Sequence, residues 1–142
     1  MSHYLDVKTQ ITDVEALVAA LCRVETKIGR NWTVKDIEVH EVADNLVGYH
    51  GDRRAQKANL IIRRHNVQGA ANDIGFVKQA DGTYSAIVSE YDSGNGYGKT
   101  WQQRLMTFYA VEKAKRTYQA KKIKYVERTN EKGLLELKAY LN

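Results

Sequence analysis

The 142-residue sequence contains no proline, a single cysteine (Cys22) and only two phenylalanines. Without proline there is no Pro-rich linker or recognition segment, and every break between elements has to come from Gly, Asn, Asp and Ser. One thiol makes neither an internal disulfide nor a cysteine-based zinc cluster, which fits a reducing compartment. No apolar run approaches the ~20 residues of a membrane helix, and no basic-then-apolar leader opens the chain. The expectation is a soluble cytoplasmic protein folded as one domain over residues 1–142.

The rest of the chain is organised around Asp73 to Asp92, DIGFVKQADGTYSAIVSEYD. Two runs rich in Ile, Phe, Val and Tyr flank Ala80-Asp81-Gly82-Thr83, where Asp and Gly supply the positive φ of a tight reversal, so the stretch reads as a β-hairpin. Both faces of its strands carry apolar residues, which suits the middle of a sheet. The opening Met1 to Ile11, in which Leu5, Val7 and Thr9 alternate with Tyr4, Asp6 and Lys8, reads as a first strand, followed by Thr12-Asp13-Val14-Glu15, a capping-box pattern. Val14, Leu17, Val18, Leu21 and Val24 then share one helical face as far as Gly29-Arg30-Asn31. Trp32 to His40 reads as a strand with a bulge between Val34 and Ile37, Asn45 to His50 as a short strand, and Ala58 to Arg64 as a firmer one. Beyond the hairpin come a helix from about Trp101 to Lys121 and two strands, Ile123 to Arg128 and Leu135 to Leu141, joined at Asn130 to Gly133. The order β-α-β-β-β-β-β-α-β-β predicts an α+β fold, a mostly antiparallel sheet with two main helices packed on it.

The segments MSHYLDVKTQITDVEALVAAL, GYHGDRRAQKANLIIR, DIGFVKQADGTYSAIV and RLMTFYA, with the closing strand pair, carry a resemblance that runs in order through nearly the whole chain. Together they resemble the uncharacterised hypothetical chloroplast reading frame thirty-five family, the domain of unknown function 1257. That resemblance implies relatives in plastids, cyanobacteria and other bacteria, with a stromal location for the plastid ones, and brings no established activity. It also implies an Arg before Tyr109-Ala110, where this chain has Phe108.

Two features point to anions. Ser93-Gly94-Asn95-Gly96-Tyr97-Gly98-Lys99-Thr100 differs from the phosphate-binding G-x-x-x-x-G-K-T only at its first position, and it lies between a strand and a helix. Against a hydrolase, no apolar strand ending in Asp follows to hold magnesium, and a parallel βαβ sheet is not indicated. Charge is the second feature: from Lys99 onward 11 Lys and Arg face 4 Asp and Glu, within an overall balance of +5. Lys113, Lys115, Arg116, Lys121, Lys122 and Lys124 cluster at the end of the second helix, as a solvated face or as a track for a phosphate backbone. A further group, Arg53-Arg54, Lys57 and Arg63-Arg64-His65, is weaker because a strand sends neighbouring side chains to opposite faces. His3, His40, His50 and His65 lack metal-ligand spacing, so no metal site is expected, and neither a catalytic residue nor a cofactor is identifiable.

The function expected is that of a small non-enzymatic binding or accessory protein, recognising a protein partner or an anionic ligand such as a nucleotide or nucleic acid. Gly96, Gly98, Lys99 and Thr100, with Lys113, Arg116 and Lys124 adding charge, are the candidate anion-binding residues. One alternative is a nucleotide- or phosphoester-processing enzyme using loop 93–100. The other is a protein-protein adaptor or a self-assembling subunit, possible as a homo-oligomer.

Overall fold

The computed structural model describes residues 3–140 and has the α+β architecture expected. Strands β1 (Tyr4–Lys8), β2 (Ile37–Val47), β3 (Arg53–Ile62), β4 (Ile74–Lys78) and β5 (Tyr84–Ser89) form an antiparallel five-stranded sheet in the order β1-β5-β4-β3-β2. The hairpin expected between Asp73 and Asp92 is β4-β5. Gly82 takes φ +87 in its turn, and β5 is buried along its whole length. A separate antiparallel ribbon, β6 (Lys124–Thr129) with β7 (Leu135–Tyr140), closes the described chain. Leu141, the expected end of the last strand, and Met1 and Ser2, the expected start of the first, lie outside the described residues.

Helices α1 (Val14–Leu21) and α4 (Lys99–Ala120) cover one face of the sheet, and two short helical turns, α2 (Arg64–Val67) and α3 (Glu90–Asp92), come directly after β3 and β5. The main core lies under the helices, where Leu17, Leu21 and Leu105 meet Leu60, Ile62, Phe76 and Val88. Ile61 and Ile87 point to the opposite face and join Leu46 and Ala58 in a smaller cluster. This two-sided burial is what the mixed alternation of the hairpin strands requires. Among the described residues no helix is long and apolar enough to cross a membrane.

Several local features depart from the sequence pattern. Helix α1 stops at Leu21, where Cys22 caps it, instead of running through Val24 to Gly29-Arg30-Asn31. The two strands expected at 32–40 and 45–50 are one, β2, so four strands rather than five lie between the main helices. The slip after Val34 is a 3-10 turn, Val34–Asp36, in which the Asp36 carboxylate accepts the Thr33 N–H at 2.8 Å and pairs with Arg30 at 2.7 Å. The register shifts fall later, between Val39 and Asp44 and between Asn45 and Val47. Bulges of this kind bend a strand, and Leu46 reaches the far face over Gly75. A Cβ on Gly75 would lie 2.6 Å from the Ala58 Cβ and 3.0 Å from the Leu46 Cδ2, so only glycine fits.

Asp13, not Thr12, caps α1, accepting from the Ala16 N–H at 3.1 Å. The reason is tertiary: Tyr109 Oη accepts the Thr12 and Asp13 N–H groups at 2.9 and 3.0 Å, and the Thr12 hydroxyl meets Lys113 Nζ at 3.2 Å. Glu15 pairs with Arg116 instead of turning back on the helix start. Elsewhere Arg23 bridges Glu112 on α4 to Glu127 on the ribbon, each at 2.7 Å, and Lys115 joins both carboxylates. Phe108 lies under this network, with the Arg23 guanidinium 4.9 Å from its ring centroid.

Candidate functional site

The glycine-rich segment begins with a π-helical turn, Ser93–Tyr97, whose fourth residue, Gly96, has φ +109. Its centre is an anchor. The Tyr97 ring is fully buried, stacked on Trp32 at 6.1 Å and edge-on to Trp101 at 5.0 Å. Its hydroxyl donates to Val67 O at 2.7 Å and accepts from the Lys27 N–H at 3.0 Å. Burial pushes the phenol pKa up to about 12. A Cβ on Gly96 would lie 2.0 Å from the Lys27 Cε, and one on Gly98 would lie 2.5 Å from Ser93 O. These glycines are therefore in close packing with the segment's own surroundings.

The seven expected anion-binding residues do not converge. Gly96, Gly98, Lys99 and Thr100 sit at the start of α4, and Lys99 faces a groove beside β1. Lys113 lies about 21 Å further along the helix, at 1.5 Å per residue, where it meets Thr12. Arg116 is engaged by Asp13 at 2.7 Å and by Glu15. Lys124 is exposed on β6.

A better-formed site lies at the other end of the sheet. Asp73 is fully buried just before β4. A buried carboxylate costs several kcal/mol unless its lone pairs are satisfied, and this one is well provided. Oδ1 accepts the Arg64 N–H at 2.7 Å, and Oδ2 accepts the Val47 N–H at 2.7 Å and Arg63 Nη1 at 2.8 Å. The Asp73 carbonyl accepts from Tyr4 Oη at 2.9 Å. Burial first, then the Asp73 charge, raises the Tyr4 phenol far above its usual range. The preceding residue is pinned as firmly: Asn72 donates its N–H to Asp92 at 3.0 Å and its side-chain amide to Ser89 Oγ at 2.9 Å.

Asp73 thus holds the end of β2, the end of β3 and the start of α2 around a cleft of about 410 Å³. On its floor the Arg63 guanidinium binds Glu38 through Nε at 2.8 Å and Nη2 at 2.8 Å, Asp44 at 3.0 Å and Asp73 at 2.8 Å. These bonds, Glu38 first, raise the basicity of Arg63, and Arg63 in turn lowers the Glu38 carboxyl. The rim differs in kind. Arg53 donates to the Asn45 side-chain oxygen at 2.5 Å and Arg64 to Tyr49 O at 3.1 Å, and His65 completes the lining. Neither Arg53 nor Arg64 has a carboxylate partner within 4.0 Å among the described residues.

The family model described as protein of unknown function (DUF1257) matches residues 34–137. The chain belongs to this family. No curated protein matches it, and no solved structure does. The span matched by the DUF1257 model contains every lining residue of the arginine cleft, whereas β1 and α1 lie outside it.

In this DUF1257 chain Glu38, His40 and Asp44 bring potential ligand atoms within 4.8 Å of one another. The cation among them is the protein's own, because Arg63 Nη2 bridges Glu38 and Asp44 and His40 Nε2 lies 2.7 Å from Glu38 Oε1. The basic cluster at 63–65 looked dispersed in sequence because a strand alternates its side chains. The strand ends at Ile62 and α2 begins at Arg64, so that rule no longer applies where the charges gather. One signal was available: Asn72-Asp73, two polar residues directly before an apolar strand, must find buried partners.

Proposed function

We propose that this chain is a non-catalytic binding module that holds the anionic group of a small phosphorylated ligand in the cleft at Arg53, Arg64 and His65. The observation that carries the reading is the contrast between floor and rim. Arg63 is surrounded by three carboxylates, while among the described residues Arg53 and Arg64 donate to neutral oxygens alone, leaving further N–H groups for a ligand. Guanidinium forks match phosphate geometry through paired charge-assisted bonds. The cleft volume, about 410 Å³, suits a small molecule, and the Asp73 hub holds the backbone of Arg64 in place before any ligand arrives.

Thermal unfolding against inorganic phosphate, nucleotides and short oligonucleotides tests this. A ligand of the folded state adds about 2.7 kcal/mol at ~100 times its dissociation constant. The expected result is a raised midpoint that Arg53→Gln and Arg64→Gln abolish and Lys99→Ala preserves. A shift lost in Lys99→Ala but kept in both arginine variants moves the site to the glycine-rich segment. No shift with any of these anions overturns the reading, and turnover of a bound nucleotide overturns its non-catalytic part.

A further inference from the structure

Strand β1 is an edge of the five-stranded sheet. The Thr9 N–H donates to Tyr84 O at 3.2 Å and the Glu90 N–H donates to His3 O at 2.7 Å. In an antiparallel ladder successive residues turn their backbone groups to opposite sides. Leu5 and Val7 therefore also face β5, while Tyr4, Asp6 and Lys8 turn their N–H and C=O groups outward. The other edge, β2, is interrupted by two register shifts, a device that blunts edges. β1 has no such interruption: it pairs with β5 in unbroken register from Tyr4 to Lys8.

Its side chains match this open edge. Leu5 and Val7 lie opposite core residues Val88 and Ala86, yet each is 39% exposed. Beside Val7 a groove of about 610 Å³, bordered on the strand side by Val7 to Gln10, separates β1 from α4. The helix contributes Gln103, Met106, Thr107 and Ala110 to it, the i, i+3, i+4, i+7 spacing of a single stripe. Asp6 and Lys8 occupy the opposite face, exposed and without an ion pair among the described residues.

We infer that a second copy of this chain docks on this edge, its β1 running antiparallel to the first about a two-fold axis at Val7. The strand is self-complementary in that register. Asp6 of each copy stands opposite Lys8 of the other, in pairs that exchange backbone hydrogen bonds, and the two Val7 side chains meet in the closer, non-hydrogen-bonded pair. Registers centred on Asp6 or on Lys8 set like charges face to face. Pairing makes one continuous sheet with both α4 stripes on the same side, a closed isologous dimer that leaves no β1 edge exposed. It is independent of the arginine cleft, which lies at the β2-β3 end of the sheet.

Sedimentation of the full chain over a concentration series tests the inference, with three variants. The wild type is expected to reach the mass of two chains. Asp6→Lys places like charges at both symmetric positions and weakens the dimer by about tenfold or more, and adding Lys8→Asp restores it. In a Cys22→Ser background, Val7→Cys forms a disulfide-linked dimer on oxidation, since facing Cα atoms in a non-hydrogen-bonded pair lie about 4.5 Å apart. Recovery in the double variant separates pairing across the axis from simple weakening of the strand. A monomer at every concentration overturns the inference. So does a dimer that ignores Asp6→Lys and whose Val7→Cys form does not cross-link.

Discussion

Replacing Asp73 by Asn removes a negative charge from a fully buried position while keeping the side chain's shape. The carboxylate accepts three hydrogen bonds, from the N–H groups of Val47 and Arg64 and from Arg63 Nη1. An amide keeps one accepting oxygen, and its NH2 group must face at least one N–H. In the better orientation the oxygen takes the Oδ2 position, so Val47 and Arg63 keep a neutral acceptor and the Arg64 N–H loses its partner. Hydrogen bonds to charged groups contribute about 1.5–3 kcal/mol, against about 1 for neutral ones, and an unsatisfied buried donor costs about 1–3. One lost bond and two weakened ones give about 3–5 kcal/mol. Arg63 retains Glu38 and Asp44, so no isolated charge is left behind. The variant should still fold, since domains of this size have about 5–15 kcal/mol in hand. Urea denaturation with an unchanged m-value is the assay. Arg63→Gln in the Asp73→Asn background should be strongly non-additive, because the two side chains touch. A loss below about 1 kcal/mol, or simple additivity, would show that Asp73 does not organise the cleft.

Other consequences follow from the same packing. Tyr97→Phe leaves Val67 O and the Lys27 N–H without their buried partner and should cost about 1–3 kcal/mol in a denaturant titration; an unchanged midpoint would refute the role of the hydroxyl. Gly75→Ala drives a methyl group to 2.6 Å from the Ala58 Cβ, so overpacking should cost about 1–3 kcal/mol, whereas a neutral effect would mean that the smaller cluster yields. The Glu127 carboxyl is lowered from 4.5 to about 2, first by Arg23 and then by Lys115. A folded pKa below the unfolded one gives stability that is fully present above pH 4.5 and is lost as pH falls towards 2. Glu127→Gln should therefore flatten the acid limb of the stability profile over that window, and superimposable profiles for wild type and variant would count against the ion pair.

The hairpin at 73–92 was legible because its signals are local: Asp81 and Gly82 supply the turn, and apolar residues on both faces demand two-sided burial. The apolar face of α1 and the extent of α4 were legible for the same reason. The cap of α1 was misplaced by one residue because Tyr109, distant in sequence, takes the N–H groups of Thr12 and Asp13. The glycine-rich segment shows the limit most clearly. Its letters match a phosphate loop at all but one position, but a motif states spacing and not direction, and Tyr97 points into the core.

By itself the sequence determined the class of fold, the family resemblance, the interior place of the hairpin and the surplus of positive charge towards the C-terminus. Periodicity and turn chemistry act between near neighbours, and they carry that information wherever the segment lies. Only the tertiary structure decided which charges are spent and which remain. Arg116 looked available and is held by Asp13 and Glu15 from the start of α1, while Arg53 and Arg64 looked scattered and share one cleft. An ion pair depends on distances of about 4 Å between residues that the chain keeps far apart in sequence, and those distances exist only after β2, β3 and α2 have been drawn together around Asp73.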